Sequence, residues 1–321
     1  LRWALRVPGP LILVALLARL ERPMAVFSLV FASHAGLLVA ALVLNVVPLW
    51  LKVWRWQVIL RARGIDYGAK RAWLAFSSSL YLGMLTPGRV GDVLRIRYLR
   101  HDTGARYAEG LASIVVDRLA DLYVLVCFAA YGVAHYARVL SPELAAVGYA
   151  MVGGRLVGPA LLFVPGLFER LFGGIYQRLA KEAGKDGLQV FVDAIRSGGR
   201  RSAPMATLLT FTAFAVNFVQ GKLLADAMDL PLSLLDVVAL MAIQSLAGLL
   251  PISVSGLGVR EAFFAVVFPS LGSSAEAGAS YGLLMFFTLY VSQVAIGAVA
   301  WQLAPPPVEG AAQGEEPRRG S

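Results

Sequence analysis

Apolar residues run in long stretches along this chain, and polar residues gather in short clusters between them. No charged residue falls between Arg22 and Lys52, between Arg201 and Lys222, or between Glu276 and Glu309. Roughly 20 apolar residues at about 1.5 Å rise cross the hydrocarbon core of a bilayer, and each of these runs is long enough. The pattern predicts a first short span over about Val7–Leu20, a segment from Met24 to Ser33 lying along the outer interface, and a second span over about Ala35–Trp56. Trp50, Trp54 and Trp56 beside Lys52 and Arg55 place the end of that span at headgroup depth, where indoles anchor and cations snorkel. Further spans are expected over about Gly110–Val133, Leu144–Phe168, Pro204–Leu224 and Gly278–Gln302. Arg2 and Arg6 ahead of the apolar run Val7–Ala18 read as an uncleaved signal anchor.

Two apolar pieces are too short for this scheme. Trp73–Leu85 stops at Thr86, Pro87 and Gly88, and it separates a basic loop (Arg61, Arg63, Lys70, Arg71) from a basic stretch (Arg89, Arg95, Arg97, Arg100, Arg106). A full crossing would put these on opposite sides of the membrane. A hairpin that enters and leaves from the cytoplasm keeps both inside, as basic loops prefer. Val237–Leu250 stops at Pro251, and a turn through Gly256 and Gly258 leads into a half-helix over Val259–Val267. The acidic loop ahead of it, with Asp226, Asp229 and Asp236, is expected outside. Two interrupted segments of opposite orientation point to an inverted repeat with a site near the middle of the membrane. The expected fold is therefore all-α: a polytopic integral membrane helical bundle with two re-entrant broken-helix hairpins. Residues 1–304 form the transmembrane domain. Within it Leu188, Phe191, Val192 and Ile195 recur at helical spacing, predicting a cytoplasmic amphipathic segment at about 169–203. Residues 305–321, rich in Pro, Gly and Glu, read as a disordered C-terminal tail.

Composition agrees with the pattern. Hydrophobic residues make up 58% of the chain and charged ones 15%, against about 25% in soluble domains. A net charge of +9 would raise nucleic acid as a partner for a soluble protein, but here basic cytoplasmic loops account for it and no nucleic acid is expected. The single cysteine, Cys127, excludes an intramolecular disulfide framework and a cysteine-cluster metal site, and the three histidines have no ligand spacing. No cofactor or resident metal is expected, and no nucleotide-binding loop is present.

Candidate chemistry collects at three places. At the first break Pro87 ends the helix, Gly88 and Gly91 permit unusual backbone angles, and Arg89, Asp92 and Arg95 follow. Free N–H groups at the next helix start, with Arg89 and Arg95, would favour an anion; the competing reading is that these arginines only mark a cytoplasmic end. The second break, from Pro251 through Gly256 and Gly258 to Arg260 and Glu261, sets an isolated cation and carboxylate in more than about thirty uncharged residues, which demands pairing or water. A structural ion pair with Asp92 or Asp117 is the alternative. Third, Asp117 and Asp121 lie four apart on one helix face with Arg118 beside them. They could pair with arginines, relay a proton or hold a divalent cation. Ser77, Ser78 and Ser79 read as close helix packing, and Asn45, Asn217, Gln220 and Gln244 as a polar path or as interhelical bonds.

The runs LTPGRVGDVLRIRYLR (Leu85–Arg100), EGLASIVVDRLADL (Glu109–Leu122) and LLPISVSGLGVREA (Leu249–Ala262) resemble the flippase-like family related to the transmembrane domain of lysylphosphatidylglycerol synthases, the multiple peptide resistance factors. The likeness extends over about Leu37–Gln302. It implies a helical protein with re-entrant segments that moves lipids or lipid-linked molecules between leaflets. By the same analogy Pro87, Gly88, Arg89, Gly91, Asp92, Arg95, Asp117, Arg118, Gly256, Gly258, Arg260 and Glu261 would line the substrate site, and we add Asp121 and Pro251 by position. Asp92 stands where relatives often carry Glu, and Leu283–Phe287 lacks an expected Arg. The expected partner is a membrane lipid with an anionic, zwitterionic or polyprenyl-linked headgroup, and the expected location is the bacterial cytoplasmic membrane with the C-terminus inside. No catalytic residue is assigned. Two other readings stay open: an intramembrane enzyme acting on a lipid phosphate, and a scaffold for a separate glycosyltransferase. A second copy of the chain or a separate lipid-modifying enzyme are the protein partners considered.

Overall fold

The computed structural model describes residues 8–86, 91–136, 199–247 and 256–307, with isolated positions at 146, 149–150 and 153. The predicted span Leu144–Phe168, the amphipathic segment before residue 199 and the tail beyond residue 307 lie outside the described residues. Every described element is helical: α1 (Pro8–Arg19), α2 (Pro23–Ala32), α3 (Ala35–Leu44), α4 (Val46–Arg61), α5 (Ala69–Leu85), α6 (Leu94–Thr103), α7 (Tyr107–His135), α8 (Gly199–Ala227), α9 (Leu234–Ala247), α10 (Val259–Val267), α11 (Ala275–Met285) and α12 (Ser292–Leu303). A π turn, Phe286–Val291, joins α11 to α12. Among the described residues three continuous stretches are long and apolar enough to cross a membrane: Ala35–Arg61, Arg201–Ala227 and Ala275–Leu303. The protein is an integral membrane protein. Helix α7 has 29 residues, ample for a crossing, but carries Asp117, Arg118 and Asp121 in its body. The described part of α1, 12 residues, covers about 18 Å of the expected first short span.

The loops sort into two ends. At the basic end Tyr67 donates its hydroxyl to Asp102 Oδ2 at 2.6 Å, and Arg63 Nη1 donates to the Glu109 carbonyl at 2.7 Å. Burial and the Asp102 carboxylate hold the Tyr67 phenol above its ordinary range, so it stays a donor. Tyr98 donates to the Ala304 carbonyl at 2.6 Å, bringing the end of α12 to the same face. At the acidic end the His34 amide donates to the Ala227 carbonyl at 2.8 Å, and Asp236 binds His135 Nε2 at 2.9 Å and the Tyr136 hydroxyl at 3.0 Å. Both ends of the α5–α6 pair therefore lie at the basic end, while α9 starts at the acidic end.

Helices approach closely where side chains are smallest. Gly278 and Gly282, four apart on α11, lie against the backbone of Phe264 and of Glu261 on α10. Gly132 of α7 packs on Ala239 of α9, and Gly297 of α12 on Ser77 and Tyr81 of α5. In lipid, helix association draws on this backbone proximity rather than on removal of apolar surface from water. Ser77, Ser78 and Ser79 are all buried, and Ser77 takes part in that contact.

Candidate functional site

The chain reverses at the end of α5. Thr86 Oγ1 donates to the Leu82 carbonyl at 2.8 Å and accepts from the Gly91 N–H at 3.0 Å. Gly91 lies directly on the backbone of Leu82 and Gly83, where any β-carbon would overlap main-chain atoms. Gly83 in turn leaves room for the Asp92 carboxylate. These small residues let α6 turn back along α5 and place Asp92 and Arg95 inside the bundle. Pro87, Gly88 and Arg89 lie outside the described residues.

Inside, six charges meet. Arg55 Nε donates to Asp117 Oδ1 at 2.8 Å, and its Nη1 donates to Asp121 Oδ1 at 2.5 Å and to Thr210 Oγ1 at 2.7 Å. Arg95 Nη2 donates to Asp117 Oδ2 at 2.9 Å. Arg118 Nη2 is 3.1 Å from Asp92 Oδ2, and its Nη1 is 3.4 Å from Asp121 Oδ2. Arg55, Arg95 and Asp117 are at most 1% exposed, while Asp121 and Arg118 are 21% and 32% exposed, so three arginines and three aspartates form a balanced cluster across α4, the start of α6 and α7 with a sealed centre and a partly open rim. Burying a lone charge there would cost several kcal/mol, and the reciprocal pairing offsets it. The Arg95 guanidinium also lies over the rings of Phe76 and Trp56 at 4.9 and 5.2 Å.

Arg55 and Trp56 correct the sequence reading. Both were expected at headgroup depth, yet Trp56 is fully buried and donates its indole N–H to Ser113 Oγ at 3.1 Å. Only Trp50 and Trp54 face outward, at 51% and 36% exposure. Helix α4 continues to Arg61 and keeps a buried face toward α7, and positions 55 and 56 fall on it. A cation six residues before the helix end looks like an interface marker; only the Asp117–Asp121 pair across the bundle identifies its role.

The second break is also described on its far side. Gly256 and Gly258 have positive φ (78° and 83°), the left-handed region that favours glycine. Glu261 closes the helix start by accepting the Gly258 N–H at 2.6 Å, and Arg260 Nε is 3.4 Å from Glu261 Oε1. Both side chains are fully buried. The Arg260 guanidinium rests on Tyr290 and Phe286 of the π turn, at 4.4 and 5.4 Å. Pro251 lies outside the described residues.

Beside the last turn of α5 is a cavity of about 80 Å³, room for several water molecules. Met84 near the end of α5, Gln244 and Ser245 near the end of α9, and Tyr290 beneath Arg260 all line it, together with Lys52, Asn217 and Gln293. Of the amides noted in the sequence, Asn217 and Gln244 face this space. Asn45 and Gln220 instead bond between helices: Asn45 donates to the Thr288 and Leu289 carbonyls at 3.3 and 3.4 Å, and Gln220 to the Ala41 carbonyl at 2.8 Å. Lys52, expected to snorkel, lines the cavity. No group of three or more Asp, Glu, His or Cys side chains among the described residues is arranged to hold a metal ion.

A sequence profile of the lysylphosphatidylglycerol synthase transmembrane region matches residues 4–297. The chain belongs to this family. It is also similar to a UPF0104 membrane protein of Methanocaldococcus jannaschii, with 21% identity over 226 residues, 70% of this chain and 94% of that protein. Membership ties the chain to membrane lipid biology.

Proposed function

We propose that this chain is a flippase-type translocase that passes a lipid headgroup through the cavity between two re-entrant hairpins while the acyl or polyprenyl chains stay in the bilayer. The observation carrying this reading is the cavity's position. It is lined by polar and apolar side chains, large enough for water, and bordered by Met84 in the last turn of α5 and by Gln244 and Ser245 of α9, two helices that start from opposite ends of the molecule. At 17 residues α5 reaches about 25 Å, less than a bilayer core. Broken backbone at such depth is tolerated where it is buried in protein or lines a wet cavity. Gly83 and Gly91 support the first hairpin, Gly256 and Gly258 the second, and their opposite entry supports the inverted arrangement. The charge cluster and the Arg260–Glu261 pair act as the framework flanking the path.

Basic loops and the end of α12 at one face support a cytoplasmic C-terminus in a bacterial inner membrane. The enzyme alternative, with Asp117 and Asp121 as metal ligands, is disfavoured by arginine bonds to both Asp117 oxygens. A homo-oligomer or a lipid-modifying enzyme remains a partner to be sought by purification. The test is a fluorescent-lipid translocation assay in proteoliposomes. Purified protein is expected to accelerate leaflet exchange, and Ser245→Trp, which fills the cavity, to reduce the rate at least about tenfold while the protein stays monodisperse. Full-rate exchange by that variant would rule out the cavity as the path.

A further inference from the structure

We infer that the cavity recognises the hydroxyl groups of a polyhydroxylated headgroup, a sugar or cyclitol, through the side-chain amides of Gln244, Gln293 and Asn217. The inference rests on the translocase reading above for its biological meaning, but its binding part is tested separately. Among the described residues three carboxamides reach this one space from three helices: Asn217 from α8, Gln244 from α9 and Gln293 from α12, with the Ser245 hydroxyl beside them. Gln244 is the most telling. It is only 2% exposed and lines the cavity, yet it makes no hydrogen bond with any described residue. Its nitrogen also lies at the second break: a β-carbon on Gly256 would meet Gln244 Nε2 at 3.8 Å and Arg260 Nη2 at 3.7 Å. Buried polar groups are almost always bonded, so water or a ligand in the cavity must supply what this amide lacks.

Gln293 is held differently. Its Nε2 donates to Asn45 Oδ1 at 3.2 Å, and Asn45 is itself fixed by its bonds to the Thr288 and Leu289 carbonyls. The anchored amide keeps its carbonyl oxygen as an acceptor with no described donor. This mixture of donors and acceptors selects the chemistry. A hydroxyl both donates and accepts, so neighbouring hydroxyls on a ring satisfy the N–H and the C=O groups together. Phosphate diester oxygens only accept and would be left facing the Gln293 carbonyl; an ammonium only donates and would leave Gln244 Nε2 bare. Ring hydroxyls take the places of the several waters the cavity can hold, and Phe214 and Phe218 in its lining meet the C–H faces of the ring. Lys52, also in the lining, acts alike on the two probes below, which carry the same net charge.

The experiment compares phosphatidylinositol with phosphatidylcyclohexanol, which share the carbon ring, the phosphate and the charge and differ only in the ring hydroxyls. In detergent, native mass spectrometry of the full chain is expected to show the inositol lipid retained at least about tenfold more strongly. Gln244→Leu, which keeps the volume and removes the amide, should bring that ratio to within about twofold of one. Asn217→Leu, at a half-buried position, should lower it in the same direction and repeats the test if Gln244→Leu does not fold. A wild-type ratio near one overturns the inference, and so does the wild-type ratio persisting in both variants while they melt as wild type does. Absence of lipid exchange with either probe in proteoliposomes overturns the translocase reading, while the binding ratios still decide the role of the amides. Free inositol retained as strongly as phosphatidylinositol would assign the amides to a soluble polyol and overturn the lipid part of the inference.

Discussion

Asp117 shows how a single side chain can hold several helices in register. Each carboxylate oxygen receives a different arginine, one from α4 and one from α6, and Asp117 itself sits on α7. Replacing it with Asn keeps the volume and removes the charge, leaving Arg55 and Arg95 facing one another across a neutral amide. Breaking a buried pair in this way costs about 3–5 kcal/mol. Asp117→Asn should therefore melt well below wild type in detergent, or fail to accumulate, whereas Asp121→Asn, at 21% exposure and with water at hand, should lose less. Equal melting temperatures for both variants would contradict this division. The pairing of Asp117 with Asp121 on one face was visible in the sequence from their spacing. That Arg55 completes it was not, because 62 residues separate Arg55 from Asp117 and only packing joins them.

Helices here are specified by long apolar runs but positioned by glycine and amide. Gly278 on α11 has no space for a side chain: a β-carbon would overlap the Phe264 carbonyl on α10. Gly278→Ala should push α10 away and cost about 1–3 kcal/mol, read as a lower melting temperature, and the shift should exceed that of alanine at Gly36, whose surroundings are open. The π turn in the last crossing is held by Asn45, at the junction of α3 and α4, which caps two of its carbonyls. Extra carbonyls freed by such a turn need a donor inside the membrane. Its ring pair, Phe286 and Tyr290, underlies Arg260 in the region where an arginine was expected on the last span. A π turn leaves no signature in hydropathy; it depends on what the helix packs against.

For the molecule as a whole, the decisive question is on which side each loop emerges. Arg63, Tyr67, Asp102 and Glu109 are joined by short hydrogen bonds, so the loops before α5 and after α6 share one face. The chain has one cysteine, so Cys127→Ala gives a clean background for labelling. In right-side-out vesicles Arg61→Cys and Arg106→Cys should both resist an impermeant maleimide, and Pro231→Cys should react. Opposite labelling of the first two would mean that α5 crosses the membrane and would dismantle the hairpin.

The sequence alone determined the solvent of this protein and the approximate reach of its helices, because hydropathy and length are additive along a chain. It also marked both breaks, since proline and glycine act on their own backbone. Which charges meet, and that Lys52 faces a cavity while Arg55 is sealed in a cluster, was decided by tertiary structure. In a membrane interior the cost of a charge depends on its partners, and those partners are brought together from distant parts of the chain only when the helices pack.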